Sequence, residues 1–189
     1  SALRSGNISV RHNNGFLITP SGKKYSSLKV KDIVFVSLDG KYEKKYKPSS
    51  EWRFHQDIYI KKKDAQAIVH THSTNATALS VHKKPIPAFH YMVALAGGND
   101  IKCSKYATYG TRELSKNILK ALNNRKACLI ANHGQIAFDK NLPDAFELAQ
   151  EVENLSLQYI TALKLGKPKI LSINEMNKVL KKAKNYKRG

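Results

Sequence analysis

Two histidines at the end of an apolar run constrain the fold of this chain more than any other feature. Residues 68–72 read Ile-Val-His-Thr-His, which places the histidines at His70 and His72. In a β-strand, residues i and i+2 point to the same face, so both imidazoles should project together. A second apolar run at 129–131 leads to His133, which Gly134 follows. We expect that glycine to let the backbone turn, so that two strand ends bring three histidines together.

Three imidazoles grouped in this way are typical of an open metal site. Zinc binds imidazole nitrogens at about 2.0–2.1 Å, and a catalytic zinc site keeps one position free for water or substrate. For any single histidine, a hydrogen-bonded place in the core or at a strand end is the alternative. The pair with a distant partner favours the metal interpretation.

The length and composition of the chain indicate one globular domain. A chain of 189 residues falls within the usual range for a single domain, which we expect to span residues 1–189. No apolar stretch reaches the length of a membrane span, and the first residues lack the pattern of a signal peptide. We therefore expect a cytoplasmic protein without a membrane partner. Cys103 and Cys128 lack CxxC spacing and should be free thiols.

The formal net charge of +19 raises nucleic acid as a partner. Much of the lysine lies in short runs at 41–47 and 61–63, and in a C-terminal stretch at 178–184 that reads as one solvated helix face. The sequence has no zinc-finger spacing, no RNP-like aromatic motif and no clear helix-turn-helix pattern. We therefore expect no specific nucleic-acid partner. A positive field would also steer a small phosphorylated substrate.

Strand-type and helix-type patterns alternate along the chain. Apolar spacing at Phe54 and Ile58 fits a helix that Ser49 or Ser50 would cap. This alternation predicts an α/β or α+β domain in which helices cover a mixed sheet. The predicted strands span residues 7–10, 15–19, 32–37 and 67–72, and the predicted helices span residues 52–60, 111–123 and 144–165.

Three segments of small residues could bind an anion through backbone N–H groups and hydroxyls. They are Ser5-Gly6-Asn7, Thr19-Pro20-Ser21-Gly22 and the pair Ser49-Ser50. Helix N-termini and glycine turns gather N–H groups that favour phosphate oxygens. Each segment alone is equally explained as a turn or a cap. Glu51, next to the serine pair, is likewise explained by the helix dipole alone.

The chain resembles the class II aldolase/adducin family over almost its whole length. The block Ser-Ser-Glu-Trp-Arg-Phe-His and the gap between His72 and His133 are its specific features. The resemblance implies a single domain with a central mixed, largely antiparallel β-sheet flanked by helices. The segments that carry it, in order, are Ser5-Gly6-Asn7-Ile8-Ser9, Ile18-Thr19-Pro20-Ser21-Gly22, Pro48-Ser49-Ser50-Glu51-Trp52-Arg53-Phe54-His55, Val69-His70-Thr71-His72, Ile86-Pro87-Ala88-Phe89-His90-Tyr91, Tyr106-Ala107-Thr108-Tyr109-Gly110-Thr111 and Asn132-His133-Gly134.

The resemblance implies a zinc-dependent aldolase with one Zn²⁺ per subunit. It would reversibly cleave L-fuculose 1-phosphate, or a close ketose 1-phosphate, into dihydroxyacetone phosphate and L-lactaldehyde or another small aldehyde. Glu51 would be a resting zinc ligand that moves aside to act on protons. The implied metal ligands are Glu51, His70, His72 and His133, and the implied phosphate-binding residues are Gly6, Asn7, Ser21, Gly22, Ser49 and Ser50.

The resemblance also implies a homotetramer with its active sites at subunit interfaces. A neighbouring subunit would donate Tyr91, which acts on the oxygen of the aldehyde fragment, while Tyr109 lines the same region. Tyr186 is matched to a C-terminal tyrosine that closes over the site. Family members carry about one helix and a loop before the Gly-Asn motif, and here that motif comes at Gly6.

Two alternatives share the fold, and a third belongs to another class. A pentulose-phosphate 4-epimerase and a methylthioribulose-1-phosphate dehydratase would use the same histidines and phosphate loops. The residues after the serine pair argue against the epimerase, which usually has Asp-Thr-Pro-Thr-His there. The third alternative is a non-catalytic, adducin-like or nucleic-acid-binding module. The presence of Glu51 beside three histidines opposes it.

Overall fold

The computed structural model of the protein describes residues 5–43, 45 and 47–186. Within these residues, strands and helices alternate as the sequence patterns predict. The elements are β1 (Asn7–His12), β2 (Gly15–Ile18), β3 (Val34–Ser37), α1 (Trp52–Lys61), β4 (Ala67–Thr71), α2 (Thr74–Ser80), β5 (Ile86–Pro87), β6 (Asp100–Ile101), β7 (Cys103–Ser104), α3 (Arg112–Ala121), β8 (Ala127–Ile130), β9 (Gly134–Asp139), α4 (Leu142–Lys164) and α5 (Ile173–Tyr186).

A mixed sheet forms the centre of the described part of the chain. Its seven strands run in the order β3-β2-β1-β4-β9-β8-β7. All neighbours are antiparallel except β7 and β8, which are parallel. The short strands β5 and β6 pair separately. The predicted fold class, a largely antiparallel mixed sheet flanked by helices, is confirmed.

The sheet is buried on both faces because its central strands are apolar at nearly every position. In β4, Ala67 and Val69 join the core cluster that includes residues of α2 and α4, whereas Ile68 joins the cluster that includes residues of α1 and α3. This alternation is the two-residue period of a strand. His70 therefore projects to the same face as Ile68, towards α1.

The helix predicted at 111–123 begins at Arg112 and the one predicted at 144–165 begins earlier, at Leu142, and a side chain caps each. The Thr111 hydroxyl accepts a hydrogen bond from Leu114 N at 3.2 Å, and the Asn141 side chain accepts one from Asp144 N at 2.8 Å. Both are standard N-caps. Gly166, with a φ of +120°, follows the end of α4, in agreement with the predicted stop.

The structure differs from the sequence prediction in several short elements. The predicted strand at 32–37 begins at Val34, because residues 30–32 form a 3₁₀ turn. Helix α2 and a 3₁₀ helix at Tyr91–Ala96 were not predicted, since six or seven residues are too few to show helical periodicity. Both cysteines are free thiols, as expected. None of the described helices combines the length and apolar character needed to cross a membrane.

Candidate active site

Glu51 lies at the start of α1, where it is the N-cap residue and makes no side-chain capping bond. The prediction that Ser49 or Ser50 caps this helix was wrong. Ser49 instead accepts a hydrogen bond from Glu51 N at 3.3 Å, and its own N–H donates to Thr19 O at 3.1 Å. These bonds fix the loop before α1 and leave the Glu51 carboxylate directed at the sheet.

His70 is held with one ring nitrogen turned towards Glu51. Its Nδ1–H donates to the carbonyl oxygen of Gln135 at 2.7 Å, so its Nε2 carries a lone pair when the ring is neutral. That Nε2 lies 3.2 Å from Glu51 Oε2 and 3.1 Å from His72 Nε2. A backbone carbonyl that orients a ring in this way is typical of metal-binding histidines.

His133 completes the group from the turn between β8 and β9. Its Nε2 lies 3.2 Å from Glu51 Oε1. One ligand atom from each of Glu51, His70, His72 and His133 lies within 4.8 Å of the other three. The structure therefore brings together the four residues that the sequence indicated as metal ligands.

The charges of this group suit a cation. Burial alone would raise the pKa of Glu51, but the neighbouring imidazoles of His133 and His70 lower it well below its usual range. Burial lowers the pKa of His72 to about 4, with His70 and His133 acting in the same direction. At neutral pH the carboxylate is thus ionised and His72 is neutral, the forms that bind a metal.

The residues present fit a bound metal ion. Glu51 Oε1 is buried and makes no hydrogen bond with any described residue, whereas buried carboxylate oxygens normally have a partner. Three imidazoles and one carboxylate are a donor set that zinc accepts. A cation between these residues would satisfy the unpaired oxygen.

Gly134 permits a close approach of strands rather than the turn that the sequence suggested. A Cβ atom on Gly134 would lie 2.4 Å from Thr71 O and 3.2 Å from His72 Cα. The left-handed backbone of the turn falls on Asn132, whose φ is +53°. Gly134 thus lets β9 approach β4 closely enough for His133 to reach His72.

A cavity of about 340 Å³ opens beside this group. All six residues that the sequence indicated for phosphate line it, together with Tyr109 and the metal-ligand candidates Glu51, His72 and His133. His70 lies behind these ligands and is 1% exposed. The remaining lining residues are Ser5, Pro20, Tyr106, Ala107 and Asn132.

Hydrogen bonds and a backbone bridge hold the three small-residue segments in the wall of the cavity. Pro20 and Pro48 form an isolated antiparallel bridge, and Ser21 N donates to Lys47 O at 3.0 Å. The Tyr25 hydroxyl donates to Gly6 O at 2.9 Å. The segments that were weak signals individually are therefore parts of one loop cluster.

Asn7 has contacts that the sequence did not indicate. Its side-chain Nδ2 donates to Glu51 Oε2 at 2.9 Å, and its Oδ1 faces the ring of His55. The register of β1 on β4 sets Asn7 opposite His70, which explains its closeness to the histidine group. The assignment of Asn7 to phosphate remains a prediction.

The predicted tyrosines take different places. Tyr109 lines the cavity and is 67% exposed, whereas Tyr91 is 54% exposed and does not line it. The side chain of Tyr186 lies outside the described part of the structure. Sequence reasoning missed Tyr106 and Asn132 as lining residues. Asn132 immediately precedes His133, and Tyr106 begins the same family-like segment as Tyr109, so both could have been included on those grounds.

Most of the chain matches the model of a protein family. The model of the "Class II Aldolase and Adducin N-terminal domain" family matches residues 1–160. Relatives of this family at about 50% identity match 96% of the chain. The chain therefore belongs to the class II aldolase family, and it is an enzyme of the carbon–carbon lyase class. Class II aldolases depend on a metal ion, and the Glu51 and histidine group could hold one.

Three matches describe the similarity. The chain is 52% identical over 182 residues to a 5-methylthioribulose-1-phosphate/5-deoxyribulose-1-phosphate aldolase of Rhodospirillum rubrum, covering 96% of this chain and 82% of that protein. It is 50% identical over 183 residues to the L-fuculose phosphate aldolase of Escherichia coli, covering 96% and 85%. A solved structure titled L-fuculose 1-phosphate aldolase superposes with a TM-score of 0.94 at 41% identity, covering 97% and 88%. The predicted resemblance to the class II aldolase family is confirmed, and it extends to bacterial L-fuculose phosphate aldolase.

Proposed function

We propose that the protein is a zinc-dependent aldolase that reversibly cleaves a ketose 1-phosphate into dihydroxyacetone phosphate and a small aldehyde. The observation that carries this proposal is the shared cavity. The carboxylate and histidine group forms one part of its wall, and the loop cluster of small residues forms another. A substrate whose phosphate lies in the loops would thus bring its adjacent carbons and oxygens towards Glu51.

Zinc is the proposed ion because the donor set is three imidazoles and a carboxylate. When bound, it would supply Lewis-acid stabilisation of the negative charge that an aldol cleavage develops on the substrate oxygens. His70, His72 and His133 would hold it from two neighbouring parts of the sheet. The hydrogen bond from His70 to the Gln135 carbonyl supports this role by fixing the ring.

Glu51 is the proposed general acid–base group. Cleavage of the carbon–carbon bond leaves an enediolate, whose carbon must gain a proton to give dihydroxyacetone phosphate. Glu51 is 7% exposed and lines the cavity, so its carboxylate can face the substrate when it leaves the metal. General acid–base help of this kind accelerates a reaction by about 10²–10⁴-fold.

The loop cluster is the proposed phosphate site. Gly6 and Gly22 have positive φ values of +81° and +74°, which give their loops the backbone curvature that gathers N–H groups around an anion. The hydroxyls of Ser21, Ser49 and Ser50 and the large positive charge of the chain would add to the attraction.

The names of the relatives favour substrates that lack a hydroxyl on the terminal carbon. L-Fuculose, 5-deoxyribulose and 5-methylthioribulose end in a methyl or methylthio group rather than in a hydroxymethyl group. We propose L-fuculose 1-phosphate as the first candidate. The second is 5-methylthioribulose 1-phosphate, because the relative named for it is as similar.

A comparison of kcat/KM for dihydroxyacetone phosphate release would rank these substrates. L-Ribulose 1-phosphate, which ends in a hydroxymethyl group, is the matched control. We expect the highest value for one of the candidates and a lower value for the control. Absence of release from all of them by zinc-loaded protein would refute the proposed aldolase activity.

Five further features belong to the same proposal. Residues 1–189 form a single domain, and the enzyme acts in the cytoplasm as a homotetramer. In that assembly, a neighbouring subunit contributes Tyr91, which acts on the oxygen of the aldehyde fragment; its 54% exposure leaves it free to do so. Tyr186 closes over the site.

The family assignment removes one of the three alternatives, and product analysis distinguishes the other two from cleavage. A non-catalytic module is set aside because the chain is an enzyme of the aldolase class. The proposed partner is a phosphorylated sugar and not a nucleic acid. Dehydration of methylthioribulose 1-phosphate would consume the substrate without releasing dihydroxyacetone phosphate, and epimerisation would give an isomeric pentulose phosphate. Product analysis therefore separates these reactions from cleavage.

A further inference from the structure

A row of four buried polar side chains leads from the Glu51 carboxylate into the protein. Its members are Asn7, His55, Ser9 and Tyr59, and none of them is more than 2% exposed. Asn7 and Ser9 lie on one face of β1, whereas His55 and Tyr59 lie one turn apart on α1. We call these four residues the buried relay.

Each neighbouring pair in the buried relay is within hydrogen-bond distance. Asn7 Nδ2 lies 2.9 Å from Glu51 Oε2, and Asn7 Oδ1 lies 2.5 Å from His55 Nε2. Ser9 Oγ lies 2.7 Å from His55 Nδ1 and 2.8 Å from the Tyr59 hydroxyl oxygen. Both ring nitrogens of His55 thus take part in hydrogen bonds.

The carboxylate dictates the direction of every bond in the row. Ionised Glu51 can only accept, so the Asn7 amide must present its NH₂ group to Glu51 and its oxygen to His55. His55 then donates from Nε2, and its neutral ring accepts from the Ser9 hydroxyl at Nδ1. The Ser9 oxygen in turn accepts from Tyr59. Burial, with a contribution from nearby His70, lowers the pKa of His55 to about 3, which agrees with a neutral ring.

Packing fixes the His55 ring as well. Phe54 stacks on it with ring centroids 4.8 Å apart, and Phe54 also contacts His70 edge-on at 5.4 Å. A purely structural role would require only that these buried polar groups be satisfied. The relay does more, because all its donors point towards the carboxylate, and the bond from Asn7 occupies Glu51 Oε2 and leaves Oε1 without such a donor.

We propose that His55 is a positioning residue for Glu51, acting through Asn7. In the single tautomer that the carboxylate requires and the Ser9 hydroxyl accommodates, His55 holds the Asn7 amide so that it binds one oxygen of the carboxylate and leaves the other for the metal or the proton. This inference rests on the proposed function, in which Glu51 both binds the ion and transfers a proton. His55 itself touches neither the substrate nor the ion.

The test compares His55→Leu with His55→Gln. Leucine removes the donor to Asn7, whereas the glutamine Nε2 can replace the histidine Nε2 in that bond. We expect His55→Leu to lose about 10–100-fold in kcat, the usual effect of losing a partner that orients a metal ligand. KM for the ketose 1-phosphate and zinc content should stay at the wild-type values, and His55→Gln should recover most of kcat.

A second readout does not depend on activity. In Co²⁺-loaded protein, the visible absorption bands report the ligand geometry of the ion. His55→Leu should shift these bands by loosening Glu51, and His55→Gln should return them towards the wild-type spectrum. Wild-type kcat and an unchanged spectrum in His55→Leu would overturn the proposal, as would equal losses in both variants.

If His55→Leu does not fold, two variants that preserve the core packing test the proposal instead. Ser9→Ala and Tyr59→Phe each remove one hydroxyl from the relay and should lower kcat by about 2–10-fold, the effect of one hydrogen bond. Ser115→Ala is the matched control, since Ser115 is 1% exposed and donates to Asp57 away from the relay. Equal kcat in all three variants would overturn the proposal. Absence of cleavage by wild-type protein would instead refute the proposed function.

Discussion

Glu51 Oε2 lies 3.2 Å from His70 Nε2, although the two residues come from different layers of the fold. Glu51 precedes a helix that covers the sheet, and His70 belongs to the central strand β4. Their contact depends on the docking of α1 against the same face of the sheet to which Ile68 points. The site is therefore a product of the packing of the core.

Glu51→Gln should separate metal binding from catalysis. Glutamine keeps the shape of the side chain and an oxygen that can face the ion, but it cannot take up a proton. We expect zinc content close to wild type and a loss of about 10²–10⁴-fold in kcat. Zinc analysis and a cleavage assay on the same sample measure both. The exposed Glu113 provides the control Glu113→Gln, and full activity of Glu51→Gln would remove Glu51 from the mechanism.

Removal of one histidine should remove the metal. His70→Ala or His133→Ala takes away one of three imidazoles, and the remaining donors should bind zinc much more weakly. We expect zinc content after dialysis to fall well below that of wild type, with cleavage lost in parallel. His82 is exposed and outside the group, so His82→Ala should keep its zinc. An unchanged zinc content in both site variants would refute the ligand assignment.

The candidate metal site was more predictable from sequence than its surroundings. His70 and His72 were recognisable because strand geometry places residues two apart on one face, and His133 because a second apolar run precedes it. The opposition of Asn7 and His70 depends on the register of β1 on β4, which the sequence pattern of either strand does not contain. His55 was visible only as part of a motif, because its partners Ser9 and Asn7 lie 46 and 48 residues away in sequence.

The loops of small residues were likewise predicted only in part from the sequence. Turn chemistry predicted the bend at Pro20-Ser21-Gly22, but the cap assigned to Ser49 or Ser50 was wrong. That serine pair is held by the neighbouring segment, through the bond from Ser49 N to Thr19 O. Local rules predicted the turn at Pro20-Ser21-Gly22 only, whereas the cavity arises from contacts between loops.

Gly134→Ala should damage the site through the backbone. The added methyl group would lie 2.4 Å from Thr71 O, so β9 must move away from β4 and carry His133 with it. We expect a loss of about 1–3 kcal/mol in the free energy of unfolding and weaker zinc binding, measured by denaturation and by metal titration. Gly166→Ala, where the methyl group meets open space, should leave zinc binding unchanged. Wild-type zinc affinity in Gly134→Ala would contradict the role of this close approach.

Glu153 should stabilise the fold in a pH-dependent way. Its carboxylate accepts hydrogen bonds from Asn75 N and Ala76 N at the start of α2, both at 2.8 Å. Partial burial acts to raise the pKa of Glu153, but these bonds outweigh it and lower the pKa below its ordinary value. Because the folded pKa is the lower one, this stabilisation is complete above the ordinary pKa of a glutamate. It is lost as the pH falls through the folded value.

Glu153→Gln should therefore lower the free energy of unfolding by about 1–2 kcal/mol at neutral pH. The difference from wild type should shrink as the solution is acidified below the ordinary glutamate pKa. Denaturation curves at several pH values measure it. Glu147→Gln, an exposed position on the same helix, serves as the control. A difference that is constant with pH would contradict the account.

Metal-dependent aldol cleavage is tested most directly by a coupled assay for dihydroxyacetone phosphate. L-Fuculose 1-phosphate and 5-methylthioribulose 1-phosphate would each be given to the protein as prepared, after treatment with a chelator, and after zinc is added back. We predict release from at least one substrate, its loss on chelation and its return with zinc. Absence of release from zinc-loaded protein, or release that a chelator leaves unchanged, would contradict the account.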